Sequence, residues 1–145
     1  MASIYFSFPI EPAGKERPRV IQRNGRSMAY TPLKTRQLET TIRDFALIEM
    51  LKQRFGKIEA PMPVKAAIVA VFPVPDSYSK KRKADCLSGR EAPTKKPDND
   101  NIAKLVLDSL NGLAYDDDSQ IVQLTVTKVY GEQAKVNLLL ATGRE

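Results

Sequence analysis

The chain has 145 residues, 42% hydrophobic and 28% charged, with a formal net charge of +6. That is the length of one domain, 1–145, and the composition of a folded rather than a disordered chain. One cysteine and no histidine exclude an internal disulfide, a Cys-rich or His-ligated zinc site, the Ser-His-Asp and Cys-His constellations, and any histidine base. Catalysis, if present, must rest on carboxylates, lysines, hydroxyls or a bound metal.

Ser3–Phe8 reads as a short apolar strand. The opening residues show no basic n-region or long apolar stretch, so no signal peptide is expected. No apolar run approaches the roughly 20 residues that span a bilayer. A loop broken by Pro9, Pro12, Gly14 and Pro18 carries Lys15, Arg17 and Arg19. Val20–Gln22 and Ser27–Tyr30 flank Arg23-Asn24-Gly25-Arg26, and Asn-Gly is a hairpin-turn signal. Thr31-Pro32 predicts a helix start, with Thr31 as N-cap and Pro32 at the first helical position. Leu38, Ile42, Phe45, Ala46 and Ile48 form a helical stripe, which Leu47, Met50 and Leu51 widen; Gly56 is the predicted stop.

Val64–Phe72 reads as a buried strand. The lysine-rich stretch from Pro73 to Pro97 is long for a loop in a compact domain. A short helix near Ser79–Leu87 is predicted inside it. Asn101–Asn111 reads as a helix, Ile121–Tyr130 and Lys135–Ala141 as strands forming a hairpin around Gly131. The order predicts an α/β domain, with a mixed sheet packed by helices.

Charge is unevenly spread. Residues 1–58 carry a local +6 and residues 76–96 a local +4, whereas residues 97–120 hold six aspartates and only Lys104. A basic surface attracts polyanions, nucleic acid first. An acidic knot inside it would repel phosphate unless a hard cation such as Mg²⁺ neutralises it.

The knot begins Lys96-Pro97-Asp98-Asn99-Asp100-Asn101-Ile102. In an extended stretch Asp98 and Asp100 would face the same way, with Asp100 the expected helix N-cap. Asp100, Lys104 and Asp108 follow at i, i+4 and i+8. Asp116, Asp117 and Asp118 stand before the strand at Ile121. Three carboxylates meeting there would bind Mg²⁺, polarise a phosphodiester and activate water. The plainer reading makes Asp100 a cap, its helical neighbours surface pairs and Asp116–Asp118 a turn. A calcium loop starting at Asp98 fails, because Ile102 and Ala103 occupy the positions that need Asp or Asn and Gly. Asp108, two turns from Asp98 and Asp100, is expected to matter less to catalysis than they do.

Pro-Asp-Asn-Asp-Asn-Ile-x-Lys-x-x-x-Asp-x-Leu followed by Asp-Asp-Ser-Gln-Ile-Val resembles the signature of the RusA Holliday-junction resolvases over residues 97–122. Lys15-Glu16-Arg17-Pro18-Arg19 and Ala29-Tyr30-Thr31-Pro32 resemble segments of its Gram-positive and phage members. Asn99 stands where other members often carry an apolar residue. The resemblance implies an intertwined homodimer that cuts four-way DNA junctions symmetrically in recombination and repair. It implies Mg²⁺ as cofactor, with Mn²⁺ as substitute and no small-molecule cofactor, a cytoplasmic location and a prophage setting. Carried over residue by residue, it implies Asp98, Asp100 and Asp118 as metal-holding catalytic residues, Asp117 beside them, and Lys104 as the catalytic cation.

On that reading Lys15, Arg17, Arg19, Arg23, Arg26, Lys80, Lys81, Arg82 and Lys83 grip the DNA backbone. Tyr78 and Tyr115 are candidates to stack on bases, although packing is the commoner role. Leu107 lies away from the Ile102/Leu105/Val106 stripe, which suggests exposure and a subunit contact. The rival readings are a non-catalytic DNA-binding protein and a metal-dependent hydrolase of a small phosphorylated substrate.

Overall fold

The computed structural model describes residues 2–143. Strand β1 (Ser3–Phe8) leads to the hairpin β2 (Arg19–Arg23) and β3 (Arg26–Tyr30), then helix α1 (Leu33–Gln53) and β4 (Val64–Pro73). Helices α2 (Lys80–Leu87) and α3 (Asn99–Ser109) follow, then a 3-10 turn (Asp118–Gln120), β5 (Ile121–Gly131) and β6 (Lys135–Thr142). The fold is the expected small α/β domain with a mixed sheet.

The sheet order is β1-β6-β4-β5. β1 pairs antiparallel with β6, β6 antiparallel with β4, and β4 parallel with β5. The predicted β5–β6 hairpin is therefore wrong, because β4 lies between the two strands. The sequence separation there permits a tight turn, but β4 is the most continuously buried strand. It gains hydrogen bonds and apolar cover only by sitting inside the sheet. The link passes close over it, since a Cβ on Gly131 would stand 2.5 Å from Val71 Cγ1.

Strand alternation puts one face of the sheet in the core. The register lines up Ile4–Leu140–Ala66, Phe6–Leu138–Ile68 and Phe8–Val136–Ala70 as three buried rows. Each large side chain so buried is worth about 1.5–3 kcal/mol. Helix α1 packs against β1 and α3, and its Ile42, Ala46 and Met50 enter the same core. Helix α3 presents Ile102, Leu105 and Val106 to it. Leu107 is buried as well, which corrects the expected exposure; the helix is covered on more than one side.

Asn24 and Gly25 both have positive φ, 53° and 73°, the backbone of the hairpin turn the sequence predicts. α1 starts one residue late. Pro32 is extended at ψ 145° and is itself the cap, so Thr31 lies too far upstream to cap the helix. The helix stops at Arg54, in the left-handed conformation, and not at Gly56. There the Phe55 N–H bonds back to Met50 O at 2.9 Å while its ring packs on the core.

Candidate active site

The acidic knot is carried by α3 and by the 3-10 turn that precedes β5. The backbone of α3 begins at Asn99, with Asp98 as N-cap. Asp100 therefore lies in the first helical turn and is not the cap. Asp98 alone is extended, so the expected side-by-side pair in one extended stretch does not form. Asp98 faces a groove lined by Gly14, Lys15, Thr35 and Asn101. Lys104 and Asp108 line an adjoining groove with Lys15, Arg17 and Asn101. Asp98, Asp100 and Lys104 are all exposed.

The carboxylate that acts most on Asp118 is Asp108, the residue expected to matter less than Asp98 and Asp100. The Asp108 carboxyl lies near enough to act on Asp118. Burial raises the Asp118 pKa above the ordinary aspartate value, and the hydrogen bond and charge of Asp108 add to it, followed by the charge of Asp117. Eight helical residues separate Asp100 from Asp108, about 12 Å along the axis. Among the described residues no three carboxylates stand close enough to hold one ion together. The expected meeting of Asp98, Asp100 and Asp118 is thus absent from this arrangement, and the carboxyl that acts most on Asp118 is that of Asp108.

The donor chemistry still fits a hard divalent cation. All the candidate ligands are carboxylate oxygens. Two of them crowd each other, and a cation would relieve their repulsion. Asp117 is less free. Its carboxylate accepts the Ser119 N–H at 3.0 Å as part of a capping box with Gln120, which lowers its pKa. Asp116 is tied to Lys57 Nζ at 2.7 Å and accepts the Ala60 N–H at 2.7 Å; both contacts lower its pKa, the lysine foremost.

Lys15 is drawn inward. Its Nζ lies 3.0 Å from Asp108 Oδ2 and 3.6 Å from Glu39 Oε2, bridging the segment before β2 to α3 and α1. The same segment is held by the Lys15 N–H on Asn101 O at 3.4 Å and the Glu16 N–H on Thr35 Oγ1 at 3.3 Å. A Cβ on Gly14 would stand 2.9 Å from Asn101 Cβ, so the close approach needs glycine. Among the described residues Lys104 takes part in no ion pair, which leaves its charge available.

The basic residues divide in two. Arg17, Arg19, Arg23 and Arg26 lie exposed on the segment before β2 and on the hairpin; Arg19 makes only a loose pair with Glu16 at 4.0 Å. On α2, Lys80 and Lys81 are exposed and Lys83 is half-buried. Arg82 is engaged: it grips Glu91 through Nε and Nη2 at 3.0 Å each and lies 3.6 Å over the Tyr78 ring. Tyr115 is fully buried and donates its hydroxyl to Leu107 O at 2.6 Å. It is a packing residue and does not stack on bases.

Sequence reasoning missed Asp108, Asn111 and Gln120. The Asp117-x-x-Gln120 spacing is a capping-box signature that could have pointed to Gln120. The position of Asp108 depends on how the turn at Gly112 returns the chain, which no local pattern encodes.

A small α/β domain with an acidic helix face in a basic chain has the makings of a nucleic-acid enzyme. A family model described as endodeoxyribonuclease RusA matches residues 9–140, and the chain belongs to that family. It is also 35% identical over 140 residues to the uncharacterized protein YqaN of Bacillus subtilis (strain 168), covering 97% of this chain and 96% of that one. Among the described residues no helix is long and apolar enough to cross a membrane.

Proposed function

We propose that the chain is a divalent-metal-dependent endodeoxyribonuclease that resolves four-way DNA junctions by paired symmetric nicks, acting as a cytoplasmic homodimer in recombination and repair. Family membership implies a junction-resolving endonuclease. The observation that carries the metal-dependent reading is the acidic face of α3 and its following turn, set in a chain of net charge +6. Asp98, Asp100 and Asp118, with Asp117 beside them, would be the ligands of Mg²⁺ or Mn²⁺, the ion drawing together carboxylates that stand apart in this arrangement. Such an ion supplies Lewis-acid polarisation of the phosphodiester and an activated water.

The chain's own residues do the rest. Lys104, exposed and without an ion pair among the described residues, neutralises charge that develops on the phosphate. Arg17, Arg19, Arg23 and Arg26, with Lys80, Lys81 and Lys83, bind the DNA backbone without reading sequence. Arg82 orders the start of α2 through Glu91 and Tyr78. Dimerisation is supported by apolar surface. Phe45, Leu47, Ile48 and Leu51 on α1 and Val20, Ile21 and Met28 on the hairpin are exposed, and an isolated two-stranded hairpin is marginally stable in water. A two-fold dimer would present two sites to a two-fold junction.

Asp98→Asn, Asp100→Asn and Asp118→Asn should each abolish cleavage while leaving junction binding unchanged or tighter, because each loses a metal ligand and also a charge that repels phosphate. Single-turnover cleavage and a binding titration in EDTA measure the two separately. Retained cleavage by Asp98→Asn at saturating Mg²⁺ would refute the metal assignment.

A further inference from the structure

The acidic turn is held by side chains where regular structure would use backbone. Gln120 is 8% exposed and uses its whole amide. Its Oε1 accepts the Asp116 N–H at 2.8 Å and the Asp117 N–H at 3.0 Å. Its Nε2 donates to Ile58 O at 3.1 Å and to Met62 O at 3.0 Å. The amide has two donor hydrogens and an oxygen with two lone pairs, so nothing is left over. The Asp118 N–H is taken by Asn111 Oδ1 at 2.9 Å, and the Asn111 carbonyl is held by Arg43 Nη1 at 3.0 Å. Three consecutive N–H groups, at Asp116, Asp117 and Asp118, are thus accepted by two side chains anchored on opposite sides of the turn.

We infer that Gln120 and Asn111 are positioning residues that fix the Asp118 carboxylate for metal binding. This rests on the reading of Asp118 as a metal ligand. Gln120 ties the turn to the segment after α1; Asn111 ties it to the chain just beyond α3. Neither side chain needs to touch DNA or metal. A carboxylate on an unanchored turn would sample many orientations, and the ordering cost would then fall on metal binding. Groups that orient ligands in this way alter metal affinity or activity by about 10–100-fold when removed.

The test compares Gln120→Met, Asn111→Ala, Asn111→Asp and Asp118→Asn with the parent, in single-turnover junction cleavage over a Mg²⁺ titration. Junction affinity in EDTA and thermal midpoint are measured alongside. Gln120→Met and Asn111→Ala should raise the half-saturating Mg²⁺ at least about tenfold with junction affinity within about twofold. Asn111→Asp keeps an oxygen for the Asp118 N–H and adds charge that favours a cation, so its half-saturating Mg²⁺ should be no higher than the parent's. Should Gln120→Met fail to fold, the half-buried Asn111 decides the matter. A folded Asn111→Ala with the parent's Mg²⁺ response, beside an inactive Asp118→Asn, overturns the positioning role alone. An equal fall in binding and thermal midpoint without a Mg²⁺ shift also overturns it, leaving a structural role. Full activity in Asp118→Asn removes both this inference and the site reading beneath it.

Discussion

Replacing Lys15 by Met should destabilise the fold and leave the salt dependence of DNA binding almost unchanged. Lys15 Nζ sits 3.0 Å from Asp108 and 3.6 Å from Glu39, with the lysine side chain 21% exposed and the aspartate 23%. Exposed ion pairs are worth about 0.2–1 kcal/mol, while breaking a fully buried one costs about 3–5 kcal/mol. At this intermediate burial the loss should be ~1–2 kcal/mol, and in a chain of this size that lowers the thermal midpoint by roughly 3–8 °C. Burial alone would lower the Lys15 pKa, but the hydrogen bond to Asp108 and the charges of Asp108 and Glu39 raise it above the ordinary lysine value. A raised lysine pKa stabilises fully below the unfolded-state value and stops doing so as the pH climbs through the folded-state value. The deficit of Lys15→Met should therefore persist at neutral pH and vanish only in strong alkali. A double-mutant cycle with Asp108→Asn, read by thermal melts, measures the coupling. A parent-like midpoint together with a shallower salt slope for DNA binding would refute this internal role and make Lys15 a DNA contact.

Asp108→Asn should reduce cleavage at saturating Mg²⁺ by about tenfold or more, because it alters the partner of Asp118; parent-like rates would place Asp108 outside the site. Replacing Arg17, Arg19, Arg23 and Arg26 together by Ala should weaken junction binding and flatten its salt slope by ~0.9 for each phosphate no longer neutralised. An unchanged slope in binding titrations at several salt concentrations would mean that these arginines only face solvent. Lys80→Ala and Lys81→Ala should change that slope more than Arg82→Ala does, since Arg82 is occupied by Glu91 and Tyr78; a larger effect from Arg82→Ala would show that the pair opens on DNA.

Much of the fold could be read locally. β1 alternates one residue in and one out, Asn24-Gly25 dictates its turn, and the strand at Val64 is an apolar run between prolines. The errors arose where long-range contacts decide. The β5–β6 hairpin was favoured by a short link, but insertion of β4 buries more apolar surface and completes more hydrogen bonds. The cap of α3 moved from Asp100 to Asp98, because Asp98 is the extended residue at ψ 158° just before the first helical turn, a position it fills without a side-chain cap bond. In the candidate site the sequence showed which residues are acidic but not which of them meet. Asp118 is brought back toward the end of α3 through Gly112, at φ 77°, and is held there by the bonds from Gln120 and Asn111. Lys15 read as a surface cation because its partners, Glu39 and Asp108, lie 24 and 93 residues away.

The most direct measurement is strand mapping on a synthetic four-way junction and on linear duplex of equal length, with Mg²⁺ and then with excess EDTA. The expected result is a pair of symmetric nicks on opposing strands of the junction, little cutting of the duplex, and loss of both nicks on chelation. Tight junction binding without nicks in Mg²⁺ or Mn²⁺, or nicks that survive EDTA, would contradict a metal-dependent resolvase built on the α3 aspartates.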